Sequence, residues 1–128
     1  MPKRILLVED EEVNRALFVD ILEVMLAQEV LIAEDGLEAI LMAHEHQPDL
    51  ILMDLTLPKL DGWQATRSLR STDAFRDTPI LAITAHAMVG DRERALEAGC
   101  DDHFPKPIDL DAFIKFLQPY LQEDGAEV

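Results

Sequence analysis

Apolar and polar positions change period repeatedly along the 128-residue chain. Short apolar runs at residues 4–8, 30–33, 50–53 and 80–83, with a weaker one at 103–104, have the length and continuity of buried strands. Between them apolar residues recur at helical spacing. Leu17, Phe18, Ile21, Leu22 and Met25 form one stripe, Ala39, Ile40 and Ala43 a second, and Trp63, Thr66 and Leu69 a third. Met88, Ala95 and Leu96 mark a fourth helix. Leu110, Phe113, Ile114 and Leu117 mark a fifth, which Pro119 is expected to end or kink. Asp35-Gly36 and Asp61-Gly62 read as helix starts with Asp as the N-cap. Strand–helix units in strict alternation predict an α/β fold, a doubly wound five-stranded parallel sheet with helices on both faces. The common strand order for five such units is 2-1-3-4-5.

Composition narrows the partners. A net charge of -15 repels nucleic acid and anionic membrane, so neither is expected; cations and basic protein surfaces are. Cys100 has no cysteine to pair with, which fits a reducing cytoplasm and removes cysteine metal sites from consideration. The opening "MPKRILLVED" is too short for a signal peptide or a membrane span. Residues 1–121 read as one domain and 122–128 as a short acidic tail, with no output domain expected.

Ligands of a doubly wound sheet bind at the carboxyl ends of its strands, where the winding reverses. Glu9 and Asp10 follow the first strand, Asp54 the third, Thr84 the fourth and Lys106 the fifth. Taken singly, Asp10 could begin a helix, Thr84 could be a strand-end hydroxyl, and Lys106 a surface lysine. Asp54 resists a structural reading, because "DLILMDLTLP" places it after a buried run with no helix to cap. Carboxylates converging in one crevice repel unless a cation joins them. Oxygen ligands without Cys or His suit a hard cation, Mg²⁺ before Ca²⁺. Beside such a cation Asp54 could act as a nucleophile toward a phosphoryl donor, with Lys106 and Thr84 holding phosphoryl oxygens.

The stretches "ILLVEDEEVNR", "DLILMDLTLPKLDG", "PILAITAHAM" and "GCDDHFPKPI" together resemble the receiver domain of bacterial two-component response regulators, in its chemotaxis-type stand-alone form. The resemblance covers essentially the whole chain and implies a flavodoxin-like fold. Within the family, "TAHAM" and "EVNR" are most similar to receivers of phosphorelays and single-domain cell-fate regulators. It implies Asp54 as phosphoacceptor. Asp10 is the implied direct Mg²⁺ ligand, with Glu9 binding through water and the Thr56 backbone carbonyl completing the protein's share. Thr84 and Lys106 are the implied phosphoryl contacts. A cis peptide is implied at Lys106-Pro107, which X-Pro bonds permit at low cost. His103 stands where the family places a switch aromatic, and Glu9 where Asp is common. The implied partners are a histidine kinase or histidine phosphotransfer protein and a downstream protein effector. Both would meet a monomer or weak dimer, the effector through the face of helix four, strand five and helix five.

Other functions on this fold fit less well. An aspartyl-nucleophile phosphatase would carry a second acid two residues after the nucleophile, where Thr56 stands. A flavin or nucleotide carrier needs a Gly- or Ser/Thr-rich phosphate cradle after the first strand, and "EDEEVN" offers acids. A receiver that is never phosphorylated would serve as a scaffold, without use for the acid group. The implied role is therefore a signalling switch rather than an enzyme, with phosphotransfer and dephosphorylation only of itself.

Overall fold

A computed structural model describes residues 2–55, 62–84, 91–105 and 108–121. Strands β1 (Arg4–Val8), β2 (Glu29–Ala33), β3 (Leu50–Asp54), β4 (Ile80–Thr84) and β5 (Asp102–Pro105) form one parallel sheet in the order β2-β1-β3-β4-β5. The expected order is therefore the observed one. Strand ends differ from the apolar runs by one residue or so, because ladder bonds continue past the last apolar side chain. Asp54 is thus the final residue of β3, paired with Ile83.

The central strands alternate between two cores, as the period of a strand requires. Leu6, Val8, Ile51 and Met53 pack on one face with α2 (Gly36–His46), α3 (Gly62–Arg70) and α4 (Asp91–Ala98). Ile5, Leu7, Leu50 and Leu52 pack on the other with α1 (Glu12–Val19) and α5 (Leu110–Leu121). On that second face Phe113 meets Phe18 and Phe104, with ring centroids at 5.5 and 5.2 Å. Every residue of β3 is buried, which is why its sequence reads as one unbroken apolar run.

The helices depart from the expected stripes in identifiable ways. After Val19 the first helix continues as a π-helical segment, Asp20–Met25, closed by the Leu26 N–H donating to the Ile21 carbonyl at 3.0 Å. One extra residue per turn rotates Met25 off the buried stripe, and it is exposed; Leu17 is also largely exposed. On α4 the buried residues are Ala95 and Ala98, whereas Leu96 faces outward. Pro119 does not end α5, which runs on to Leu121; so close to the terminus the missing donor removes a single bond. Asp35 caps α2 as expected, its Oδ1 accepting the Glu38 N–H at 2.8 Å. Asp61 and Met88 lie outside the described residues, as does the tail at 122–128. Cys100 is buried in the core beside α3 and α4. Burial pushes its thiol up to about 11, and the thiol leans on the Thr66 hydroxyl at 3.9 Å. Among the described residues no helix is long and apolar enough to cross a membrane.

Candidate functional site

The carboxyl end of β1 stops at Val8, and Glu9 is held there by its N–H donating to the Ala33 carbonyl of β2 at 3.0 Å. Asp10 follows in the link to α1. Asp54 arrives from β3, the strand hydrogen-bonded beside β1. One carboxylate oxygen from each of Glu9, Asp10 and Asp54 lies within 4.8 Å of the others. Glu9 and Asp54 are almost fully buried, at 1 and 2% exposure, while Asp10 is exposed. The crevice thus has two walls out of water and one open side.

Charges this close repel strongly where solvent is scarce. A small divalent cation would relieve that repulsion, and the donor set is all carboxylate, without His or Cys. Such a set fits Mg²⁺ with retained waters, bound through a few carboxylates. Glu9 stands deepest, its Oε2 accepting the Glu11 N–H at 3.2 Å, and Asp10 stands at the mouth.

The remaining expected residues fall differently. Thr84 closes β4 and pairs with Pro105 of β5, which puts its backbone at the same edge of the sheet as Asp54. Thr56, Lys106 and Pro107 lie outside the described residues. His103 lies on β5 opposite Ala82, its side chain 18% exposed. Its Nδ1 is buried, finds no hydrogen-bond partner among the described residues, and stands 4.0 Å from Asp102 Oδ1. The imidazole therefore packs as a half-buried group, on the α4 side of the sheet.

Two residues contribute to the site in ways the residue pattern did not signal. Arg15 of α1 reaches back to the main chain of Glu9 and Asp10. Gly62 starts α3 directly against the end of β3. A Cβ there would fall inside van der Waals contact with the Asp54 carbonyl oxygen and 2.7 Å from Leu55 Cα. The helix can approach the third acid this closely only without a side chain. Gly62→Ala is therefore expected to lower stability by about 1–3 kcal/mol, the range of core overpacking. Urea unfolding checks this, and an unchanged midpoint would mean that α3 moves aside without cost.

Comparisons with known proteins agree with one another. The profile of the response regulator receiver domain matches residues 5–118. The polar-differentiation response regulator DivK of Brucella anthropi is 44% identical over 121 residues, covering 94% of this chain and 98% of that protein. DivK of Brucella ovis is 42% identical with the same coverage. Among solved structures, the receiver domain of sensor histidine kinase PA1611 from Pseudomonas aeruginosa PAO1 superposes with a TM-score of 0.85 at 39% identity, covering 94% of this chain and 98% of that one. That structure holds a magnesium ion coordinated in its active site cleft. Chemotaxis response regulator CheY4 of Vibrio cholerae superposes with a TM-score of 0.87 at 26% identity, covering 94% and 100%.

Proposed function

The chain belongs to the family of response regulator receiver domains, and on that premise we propose that it is a two-component signalling switch whose phosphoryl acceptor is Asp54. The observation that carries this reading is the convergence of Glu9, Asp10 and Asp54 at the carboxyl end of a doubly wound sheet. The donor is a phosphohistidine on a kinase or phosphotransfer protein. A carboxylate oxygen of Asp54 attacks the phosphorus, the P–N bond breaks, and the departing imidazole takes up a proton. Glu9, Asp10, Asp54 and the Thr56 carbonyl hold Mg²⁺. When bound, Mg²⁺ neutralises charge on the phosphoryl oxygens. Glu9 and Asp54 hold their places because both sit at the ends of fully paired central strands, so little rearrangement accompanies the transfer.

The new group adds roughly -1.5 to -2 charge at one sheet edge. Thr84 and Lys106 are the proposed contacts to its oxygens, and the face of α4, β5 and α5 changes its protein partner. His103 lies on β5 of that face, opposite Ala82 of β4, in the place of the switch aromatic. In this reading the receiver works in the cytoplasm, as a monomer or weak dimer, and acts on a separate effector protein.

Lys106→Ala tests the link between adduct and output. The acceptor and the acids remain, so acetyl phosphate with Mg²⁺ should still label the variant. The amide-shift changes that labelling causes in wild type over residues 91–121 should be largely lost. Labelling accompanied by wild-type shift changes would remove Lys106 from the switch.

A further inference from the structure

Arg15, in the first turn of α1, turns its side chain back over the end of β1. Its Nη1 donates to the Asp10 carbonyl oxygen at 2.9 Å and to the Glu9 carbonyl oxygen at 3.3 Å. The same nitrogen lies 3.7 Å from Glu34 Oε1, beyond the end of β2. The Arg15 side chain is 19% exposed and that of Glu34 62%, so the guanidinium is the covered member of the pair. The Arg15 N–H also closes a helical bond to the Glu11 carbonyl at 2.9 Å, which fixes the point from which the side chain reaches.

The segment it grips has a geometric problem. In an extended chain successive side chains point to opposite sides, yet both Glu9 and Asp10 must bring an oxygen within 4.8 Å of the other and of Asp54. The backbone between them therefore has to turn, outside the sheet and before the helix. At this turn Glu9 Oε2 accepts the Glu11 N–H at 3.2 Å, while Glu11, the N-cap of α1, makes no side-chain capping bond. Arg15 binds the two main-chain oxygens on this turn.

We propose that Arg15 is a positioning residue for the cation site, fixing the Glu9–Asp10 turn so that both carboxylates converge on Asp54. The inference rests on the cluster being a Mg²⁺ site. Two effects of Arg15 on that site have opposite sign. As a bare positive charge it would repel Mg²⁺, and its removal would tighten binding. As a positioning group it holds the ligands together, and its removal loosens binding. Supports behind metal ligands commonly change metal affinity by about 10- to 100-fold.

The test titrates the full chain with Mg²⁺ by calorimetry, comparing wild type with Arg15→Met and Arg15→Lys. Met keeps the apolar stem, and Lys keeps the charge but not the planar fork. The expected result is that Arg15→Met binds about tenfold more weakly, with Arg15→Lys in between. Binding by Arg15→Met as tight as wild type, or tighter, overturns the proposal. Should Arg15→Met fail to fold by circular dichroism, Arg15→Lys decides: weaker binding supports it and equal binding overturns it. If wild type itself gives no Mg²⁺ heat, the cation reading fails separately. The metal-free amide signals of Glu9, Asp10 and Glu11 then decide for Arg15, displacement in the variants supporting a positioning role and coincidence with wild type overturning it.

Discussion

Asp10→Ala is expected to weaken Mg²⁺ binding by roughly a hundredfold, since affinity of such sites tracks the number of charged ligands. Asp10 is the exposed member of the acid group, at the mouth of a crevice whose other carboxylates are almost fully buried. Its stability effect should have the opposite sign. Without metal the three carboxylates repel one another, so removing the exposed one relieves that repulsion and the metal-free variant should melt no lower than wild type. Wild type should gain thermal stability with added Mg²⁺ in proportion to the logarithm of its concentration over the dissociation constant. Asp10→Ala should gain almost nothing over the same range. Calorimetric titration and paired melting curves check both signs. Binding within a few-fold of wild type would remove Asp10 from the site.

Arg70→Ala should produce a large loss of stability. Arg70 ends α3, and its guanidinium ties together segments far apart in sequence. Nε donates to the Gly99 carbonyl at 2.8 Å; Nη1 donates to the carbonyls of Phe75, Arg76 and Thr78 at 2.8, 2.9 and 2.9 Å. Nη2 meets Asp101 Oδ2 at 2.9 Å, and that same oxygen accepts the Ile80 N–H at 2.8 Å, at the first residue of β4. The turn after α4 is shaped around this side chain. Gly99 has φ +114, and a Cβ there would sit 2.9 Å from Arg70 Cβ. Truncation leaves several carbonyls with no donor in a partly buried pocket, at an expected cost of about 3 kcal/mol. The melting temperature should fall by roughly 10 °C. Arg70→Lys should recover less than half of the loss, because one ammonium cannot reach partners in both the 75–78 and 99–101 segments in the plane that the fork spans. A loss below about 1 kcal/mol would place Arg70 with ordinary surface ion pairs.

The sheet was legible because β1 to β4 are built on compact apolar runs, whereas β5, with Phe104 between His103 and Pro105, gave only a weak one. The buried β3 run ending at Asp54 required an explanation that no helix cap supplied, and two further acids after β1 completed it. Met25 was misplaced for a local reason. Helical periodicity assumes uniform turns, and the π-helical segment at Asp20–Met25 shifts the side chains at its end off the stripe. Arg15 and Arg70 were silent for a different reason. Both act through main-chain carbonyls, which every residue carries, and Arg70 finds its partners up to 31 positions away. Gly62 was read as a helix start beside Asp61; that it also lets α3 touch the Asp54 carbonyl depends on tertiary contact.

The central claim is that Asp54 carries the phosphoryl group. Intact-mass measurement after incubation with acetyl phosphate and Mg²⁺ tests it most directly, comparing wild type with Asp54→Asn. The substitution is nearly isosteric at a position 2% exposed, so the variant should stay folded. Wild type should gain the mass of one phosphoryl group and fail to gain it when Mg²⁺ is chelated beforehand, and Asp54→Asn should gain nothing. An adduct of equal yield on folded Asp54→Asn would contradict the claim and move the acceptor elsewhere.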